Sequence, residues 1–443
     1  MPALSSPHDR EIVRLALPAL GTLAAEPTYL LVDTAMVGHL GAQPLAALAL
    51  ATSILGTIGG LGVVATYATT AAVARLSGAG HEADLRRLAA QSLWLGVAIG
   101  VVGALLAVAL GPAWIGGLGG EGATADDAAR YLRIAAPGLA LALLSMAAQG
   151  WLRGTGDLRT PLLIVVLGNL INLALNPLLI YGAGLGLDGS AVATLVGQAT
   201  MGALFVRLLW RGSAEPGGAA VAGVRRPSLA LLRRLGATGA YLLVRSGALL
   251  ATFAVASAVA ARVGEPSLAA HQIGWQLFLF LALVLDAIAI AGQVLIGRAL
   301  GGGRTDEAVE AAHRMVLWTV VVGLAAAALL LLAREPVIGA FTDDDAVRDR
   351  ARALWPLLCL MLPFAAAVFA FDGILIGAGD SRFLAGAMTA AALLGIPAMV
   401  LFRGLDWGVA GVWGGIVVTM LARLVGTWWR FRGRRWATPG AWR

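Results

Sequence analysis

Val316-Leu-Trp-Thr-Val-Val-Val-Gly-Leu-Ala-Ala-Ala-Ala-Leu-Leu-Leu-Leu-Ala333 runs for eighteen residues without a charged side chain. Wound as a helix at ~1.5 Å per residue, it spans most of a ~30 Å hydrocarbon core. Phe383–Phe402 reads the same way, and about twelve such segments can be marked along the chain. They lie near 11–36, 45–73, 89–111, 128–152, 161–181 and 188–210, then 236–261, 268–297, 314–333, 352–376, 383–402 and 408–429. Apolar residues make up 59% of the sequence and charged residues 13%, about half the charge of a soluble domain. A membrane β-barrel would alternate apolar and polar residues in short strands, so the expected class is an all-α polytopic membrane protein.

Three short stretches recur at one offset of 223 residues. Gly41-Ala-Gln-Pro-Leu45-Ala46-Ala47 returns as Gly264-Glu-Pro-Ser-Leu268-Ala269-Ala270. Arg75-Leu-Ser-Gly78-Ala-Gly80 returns as Arg298-Ala-Leu-Gly301-Gly-Gly303, and Gly154-Thr-Gly156-Asp157 as Gly377-Ala-Gly379-Asp380. One register held across so much chain implies two similar halves of six spans each. Because six is even, both halves enter from the same side and the repeats are parallel. The expected division is a first lobe over 1–212, a linker over 213–234, a second lobe over 235–430 and a basic cytoplasmic tail over 431–443. After Arg211 the join reads Gly-Ser-Ala-Glu-Pro-Gly-Gly and then turns basic.

All 32 basic residues are arginine. Sorted by loop, 23 fall on the side of both termini, eight on the other, and Arg245 lies within a span. That bias places both termini in the cytoplasm of a bacterial-type cytoplasmic membrane. Arginine spread over one membrane face reads as topology and contact with anionic lipid, not as nucleic-acid binding. The single Cys359 can form no internal disulfide. Without lysine the chain cannot contain a Walker A loop. Transport driven by ATP on this polypeptide is thereby disfavoured, and an ion gradient is left as the energy source.

A gradient needs ionisable groups within the membrane. Glu26 and Asp33 lie two turns apart on the first span, with Pro27 between them removing a backbone hydrogen bond. A carboxylate in low dielectric can gain and lose a proton near neutral pH. Glu26 could instead reach the headgroups, and Asp33 could cap the turn at Val37–Gly41. Span five carries Asn169, Asn172 and Asn176 before Pro177. This ladder suits hydrogen bonding to a carboxylate, coordination of a cation, or plain helix–helix adhesion. The second half offers Asp286, Asp372, Arg245, His271, Gln272, Gln276 and Gln293. Asp286 and Asp372 could face a cavity and draw cations, or one could pair with Arg245. By the repeat offset Asp33 maps onto Ala256, and Asp372 onto Gln149. An acidic triplet, Asp343-Asp344-Asp345, reads as a helix-capping turn rather than a metal site.

Val32-Asp33-Thr34-Ala35-Met36-Val37-Gly38-His39-Leu40-Gly41 resembles the first-helix signature of the multidrug and toxic compound extrusion (MATE) transporters, closest to their DNA-damage-inducible protein F branch. Ala269–Ile273, Gly297–Gly301 and Phe371–Asp380 resemble second-half segments of the same branch. The resemblance implies twelve helices in two lobes forming a V, and cation-coupled export of drugs. It also implies a first-lobe cation site at Asp33, Asn172, Asn176 and Thr194. Some relatives carry a carboxylate where this chain has Asn176, which leaves Asp33 as the main titrating group and points to a proton, with sodium open.

The expectation is therefore a secondary antiporter, without cofactor, that acts as a monomer on small amphipathic organic cations by alternating access. Pro27 and Pro177 are its hinge candidates. The substrate cavity is expected among Asp286, Asp372, Arg245, Gln276 and Gln149. A flippase of lipid-linked precursors is the alternative, but it would want a cationic cavity, and Arg245 is the one obvious intramembrane arginine. An intramembrane enzyme would need a supported catalytic pair, which the sequence does not offer.

Overall fold

The computed structural model describes residues 7–212 and 226–442. Among the described residues thirteen helices follow one another, and no strand occurs. The first half holds α1 (Pro7–Gly38), α2 (Ala42–Gly78), α3 (Glu82–Gly117), α4 (Gly122–Gly154), α5 (Arg159–Pro177) and α6 (Leu187–Gly212). The second holds α7 (Leu229–Val263), α8 (Glu265–Gly301), α9 (Thr305–Leu332), the short α10 (Arg334–Phe341), α11 (Asp345–Gly377), α12 (Ser381–Gly404) and α13 (Gly408–Arg432). All but α10 are long and apolar enough to cross a membrane, making twelve candidate spans. The chain is an all-helical, multi-pass membrane protein.

Ten of the twelve apolar segments marked in the sequence lie inside one of these helices, 314–333 passes the end of α9 by one residue, and 161–181 runs four residues past α5; elsewhere the helices overrun the segments. The helix α3 reaches 36 residues and α7 reaches 35, against marked segments of 23 and 26. Polar ends such as Arg86-Arg87 stay helical because the stop signals here are glycine turns, not a loss of hydrophobicity. The connection between α3 and α4 is accordingly only four residues, although the glycine- and acid-rich composition runs on to Asp127. In the acidic triplet, Asp344 caps α11, accepting from the Ala346 and Val347 amides at 2.8 and 3.2 Å. Asp343 pairs with Arg348 at 2.8 Å.

The repeat holds to the residue at these turns. Helices begin at Ala42, Glu82 and Gly122, and again 223 residues later at Glu265, Thr305 and Asp345. Gly41, Gly80 and Gly156 have φ of 118°, 71° and 81°; Gly264, Gly303 and Gly379 have 139°, 74° and 73°. Only glycine adopts such angles without strain, so the three sequence matches mark turns whose geometry both halves need. Packing repeats too. A Cβ built on Gly150 would lie 2.6 Å from the Thr66 carbonyl oxygen, and one on Gly373 would lie 2.4 Å from that of Ala289. These close approaches seat α4 on α2 and α11 on α8.

The chain divides into two compact units, Gly21–Gly239 and the residues to Leu20 together with those from Ala240. The divisions fall inside α1 and α7 rather than at the polar join, whose residues 213–225 lie outside the described residues. A side-chain cluster explains why the start of α1 belongs with the second half. Asp9, buried, accepts from Arg314 Nε at 3.1 Å, Arg314 Nη2 at 2.5 Å and Trp318 Nε1 at 2.8 Å. The basic C-terminal segment is likewise not a free tail. Trp436 is fully buried, stacks on Phe431 and donates to its carbonyl, while the Gly440 amide donates to Leu300 O at 3.0 Å.

Candidate ion-coupling site

Four helices of the first compact unit converge on Asp33, which is only 3% exposed. Asn172 and Asn176, one turn apart on α5, share a face, as do Ser190 and Thr194 on α6. The helices can meet closely because Gly197 of α6 abuts the Gly168 carbonyl and the Asn172 side chain. After Pro177 the chain continues as a π-helical turn, Leu178–Gly182, and Gly189 lets the start of α6 press against its backbone. Tyr181 of that turn donates to Met36 O at 2.6 Å, pinning it to α1.

One hydrogen-bond chain results. Asn176 Nδ2 donates to Asp33 Oδ1 at 2.7 Å and Ser190 Oγ donates to the same oxygen at 2.9 Å. Asn176 Nδ2 also donates to Asn172 Oδ1 at 3.2 Å, and Asn172 Nδ2 donates to Thr194 Oγ1 at 3.2 Å. The buried Tyr131 phenol of α4 borders Ser190 and Thr194. Every partner of Asp33 is neutral; no guanidinium or imidazole pairs with it among the described residues. Asn176 Oδ1, buried, has no hydrogen-bond partner. The oxygens gathered here carry a single formal charge, and an added proton would neutralise it.

The second half treats its carboxylate differently. Asp372 is 4% exposed and accepts from two arginines through one oxygen: Arg245 of α7, and Arg423 of α13 at 2.6 Å. Of the pairings left open by the sequence, Arg245 thus takes Asp372. Two cations on one anion cannot attract a third, so the reading of Asp372 as a lure for organic cations is corrected. The count of one intramembrane arginine is corrected as well, since Arg423 is 3% exposed within the last span. Asp286 is half-buried on α8 and has a partner of its own. Gln276 is exposed, and the half-buried Gln149 accepts from Arg153 at 3.2 Å.

The MatE family model matches the chain twice, over residues 18–178 and 246–401. The chain belongs to the MATE family. Protein DETOXIFICATION 44, chloroplastic, of Arabidopsis thaliana is 30% identical over 97% of this chain and 84% of its own length. The DNA damage-inducible protein F of Escherichia coli (strain K12) is 28% identical over 88% and 85%. The crystal structure of MATE in the bent conformation matches with a TM-score of 0.86 and 25% identity, over 97% of this chain and 96% of the other. The protein is accordingly a membrane transporter and not an enzyme.

In this MATE transporter, Asp33, Asn172, Asn176 and Thr194 are brought together by the fold. Glu26 is not: it is exposed, two turns away, and has no hydrogen bond among the described residues. Asn169 reaches back to α1 instead, donating to Ala25 O at 3.2 Å beside Pro27. The helix α1 runs unbroken through Pro27, with Thr28 Oγ1 bonded to Ala24 O at 2.7 Å. Ser190 and Tyr131 escaped the sequence reading. Ser190 carried a signal, the four-residue spacing to Thr194; Tyr131 carried none, standing between Arg130 and Arg133 near the start of its span.

Proposed function

We propose that this chain is a proton-coupled antiporter, with Asp33 as the coupling carboxylate, exporting amphipathic organic cations by alternating access. What supports the reading is a carboxylate buried among neutral donors alone. Burying an unpaired charge is costly, and a proton removes that cost. Asn176 and Ser190 both donate to Oδ1 of the ionised form, so a proton taken up on the other oxygen weakens both of those bonds at once. Both donors sit on other helices, and the protonation is thereby felt by α5 and α6. Bending of α1 near Pro27 would carry the change along the helix; a solved relative is described as bent. Each proton entering down a 100 mV potential contributes ~2.3 kcal/mol. A ligand shifts such a switch only by binding its two states unequally, and protonated and ionised Asp33 differ in that way. The transporter would act as a monomer in a cytoplasmic membrane with both termini inside.

A sodium ion is the competing coupler, drawing on the oxygens of Asp33, Asn172, Asn176 and Thr194, of which one set alone is charged. A second reading of the substrate is favoured by the Arg245–Asp372–Arg423 cluster, whose excess guanidinium suits an anionic substrate group. One experiment separates these. Asp33→Asn and the unmodified chain are placed in proteoliposomes, proton and sodium gradients are imposed in turn, and efflux of a cationic and an anionic dye is followed. The proposal expects proton-driven efflux of the cationic dye that the variant loses while still inserting. Undiminished proton-driven efflux by Asp33→Asn refutes it.

A further inference from the structure

Arginines on the face opposite the termini fall into two groups. Arg130 pairs with Asp127 and Asp188, Arg334 with Glu335, Arg348 with Asp343, and Arg352 with Glu335 and Asp349. Arg352 and Arg334 hold the Glu335 carboxyl below its ordinary range, as expected of groups spent on each other. Arg133, Arg262, Arg350 and Arg403 have no ion pair among the described residues. Three of these four line a single cavity of ≈ 630 Å³.

The cavity is assembled from three separate helices of one compact unit. Arg262 closes α7, Arg350 lies in the second turn of α11, and Arg403 lies in the last turn of α12. Asp406 is the one acid in the lining, so three guanidiniums face one carboxylate. The turn that holds it is specific. Asp406 sits at φ 59° and Gly408 at φ 57°, and the Arg350 guanidinium comes within 3.6 Å of where a Cβ on Gly408 would stand. A side chain at 408 would thus be strained by the backbone angle and would stand in contact with Arg350. Val263 and Val400 supply an apolar wall. Trp407, 53% exposed, stacks on Phe402 at 4.8 Å beside the cavity, as aromatic residues do at headgroup depth.

Like charges converge only where something compensates them. Guanidinium forks match the oxygens of a phosphate group, and several of them around one cavity are the usual means of holding it. We propose that this cavity binds a phosphate-bearing anion at the outer end of the second half. The phosphate can come from an anionic lipid headgroup or from a soluble phosphate ester; the apolar wall and the neighbouring Trp407 fit the lipid. The site is independent of the coupling proposed for Asp33.

The test uses the full chain in phosphatidylcholine nanodiscs with and without phosphatidylglycerol, with retained lipid counted by native mass spectrometry. Arg262→Gln, Arg350→Gln and Arg403→Gln are made singly and together, with Arg133→Gln as the unpaired arginine outside the cavity. Each cavity variant should lower phosphatidylglycerol retention about fivefold and the triple variant about a hundredfold, while Arg133→Gln retains as the unmodified chain does. Melting in pure phosphatidylcholine should be the same for all, and the single variants carry the test if the triple does not insert. Millimolar glycerol 3-phosphate forms the second arm. If it raises the melting temperature of the unmodified chain but not of the cavity variants, the soluble source is supported; retention of phosphatidylglycerol alone supports the lipid. Equal retention by all variants, with no response to glycerol 3-phosphate, overturns the site.

Discussion

Replacing Ser190 with alanine tests the coupling chemistry at a residue that is not itself ionisable. The Ser190 hydroxyl is fully buried and stands 2.9 Å from Asp33 Oδ1, with Asn176 Nδ2 the other donor at 2.7 Å. A hydrogen bond to a charged group is worth ~1.5–3 kcal/mol. Ser190→Ala removes one such bond from ionised Asp33, whereas the form protonated on the other oxygen loses only a bond between neutral groups, worth ~0.5–1.5 kcal/mol. The ionised form therefore loses about 1–1.5 kcal/mol more than the protonated form, and at ~1.36 kcal/mol per pH unit this is about one unit. Sign follows from which form suffers. Asp33 keeps its proton to a more alkaline pH, so the pH profile of driven efflux moves upward by that amount. The assay is dye efflux from proteoliposomes at a fixed proton gradient while the absolute pH is scanned. Ser190→Thr, which keeps the hydroxyl, should track the unmodified chain. A Ser190→Ala profile that stays in place or moves toward acid would refute the argument, since it would mean the bond does not discriminate between the two protonation states.

Asp372→Asn should strand Arg423 and Arg245 and lower stability by about 3–5 kcal/mol, read as a fall in melting temperature in detergent; adding Arg423→Met should recover part of it. Asp9→Asn should loosen the first turns of α1 from Arg314 and Trp318 by about 1.5–3 kcal/mol, visible as faster amide exchange over residues 8–18 with the rest of the chain protected. Gly373→Ala should cost about 1–3 kcal/mol because its Cβ would meet the Ala289 backbone rather than a side chain that can turn aside. Gly386→Ala, with nothing within 4 Å, should be neutral or stabilising in the same melting assay.

Hydrophobic run length was enough to find all twelve spans, because a helix in lipid must satisfy its backbone internally and shows this as an uninterrupted apolar stretch. Helix ends were harder. Polar turns of helix beyond the hydrocarbon look like loops in composition, as at Glu82–Leu88 at the start of α3, and only the repeated glycines gave their limits away. In the coupling site, Asp33 and the asparagine ladder could be read because polar residues are rare inside a span. Tyr131 could not, and Ser190 showed only its spacing to Thr194, since hydroxyls near a span end are common and such spacing does not say which helix they face. Arg423 was hidden by its neighbours. Arg430, Arg432, Arg434 and Arg435 follow it closely, and a count by loops swept it into the cytoplasm, whereas its partner Asp372 lies 51 residues away. Long-range pairing of that kind has no signature in composition.

The two buried carboxylates make the strongest case for where coupling resides. Both halves are built on the same turns and the same glycine contacts, so the scaffold alone gives no reason to prefer one. Neutralising Asp372 would leave two buried guanidiniums without a counter-charge, a penalty of several kcal/mol. Neutralising Asp33 leaves neutral amides and hydroxyls that can reverse their roles, Asn176 offering Oδ1 where it had offered Nδ2. A proton can therefore come and go at Asp33 without unravelling its surroundings, whereas at Asp372 it would break the packing of α7, α11 and α13 together. Ala256 stands at the repeat position of Asp33 and is fully buried among apolar residues, so the second half has no carboxylate at that repeat position. On the proton coupling proposed above, Asp33 in the first half is the carboxylate that can take the proton at least cost.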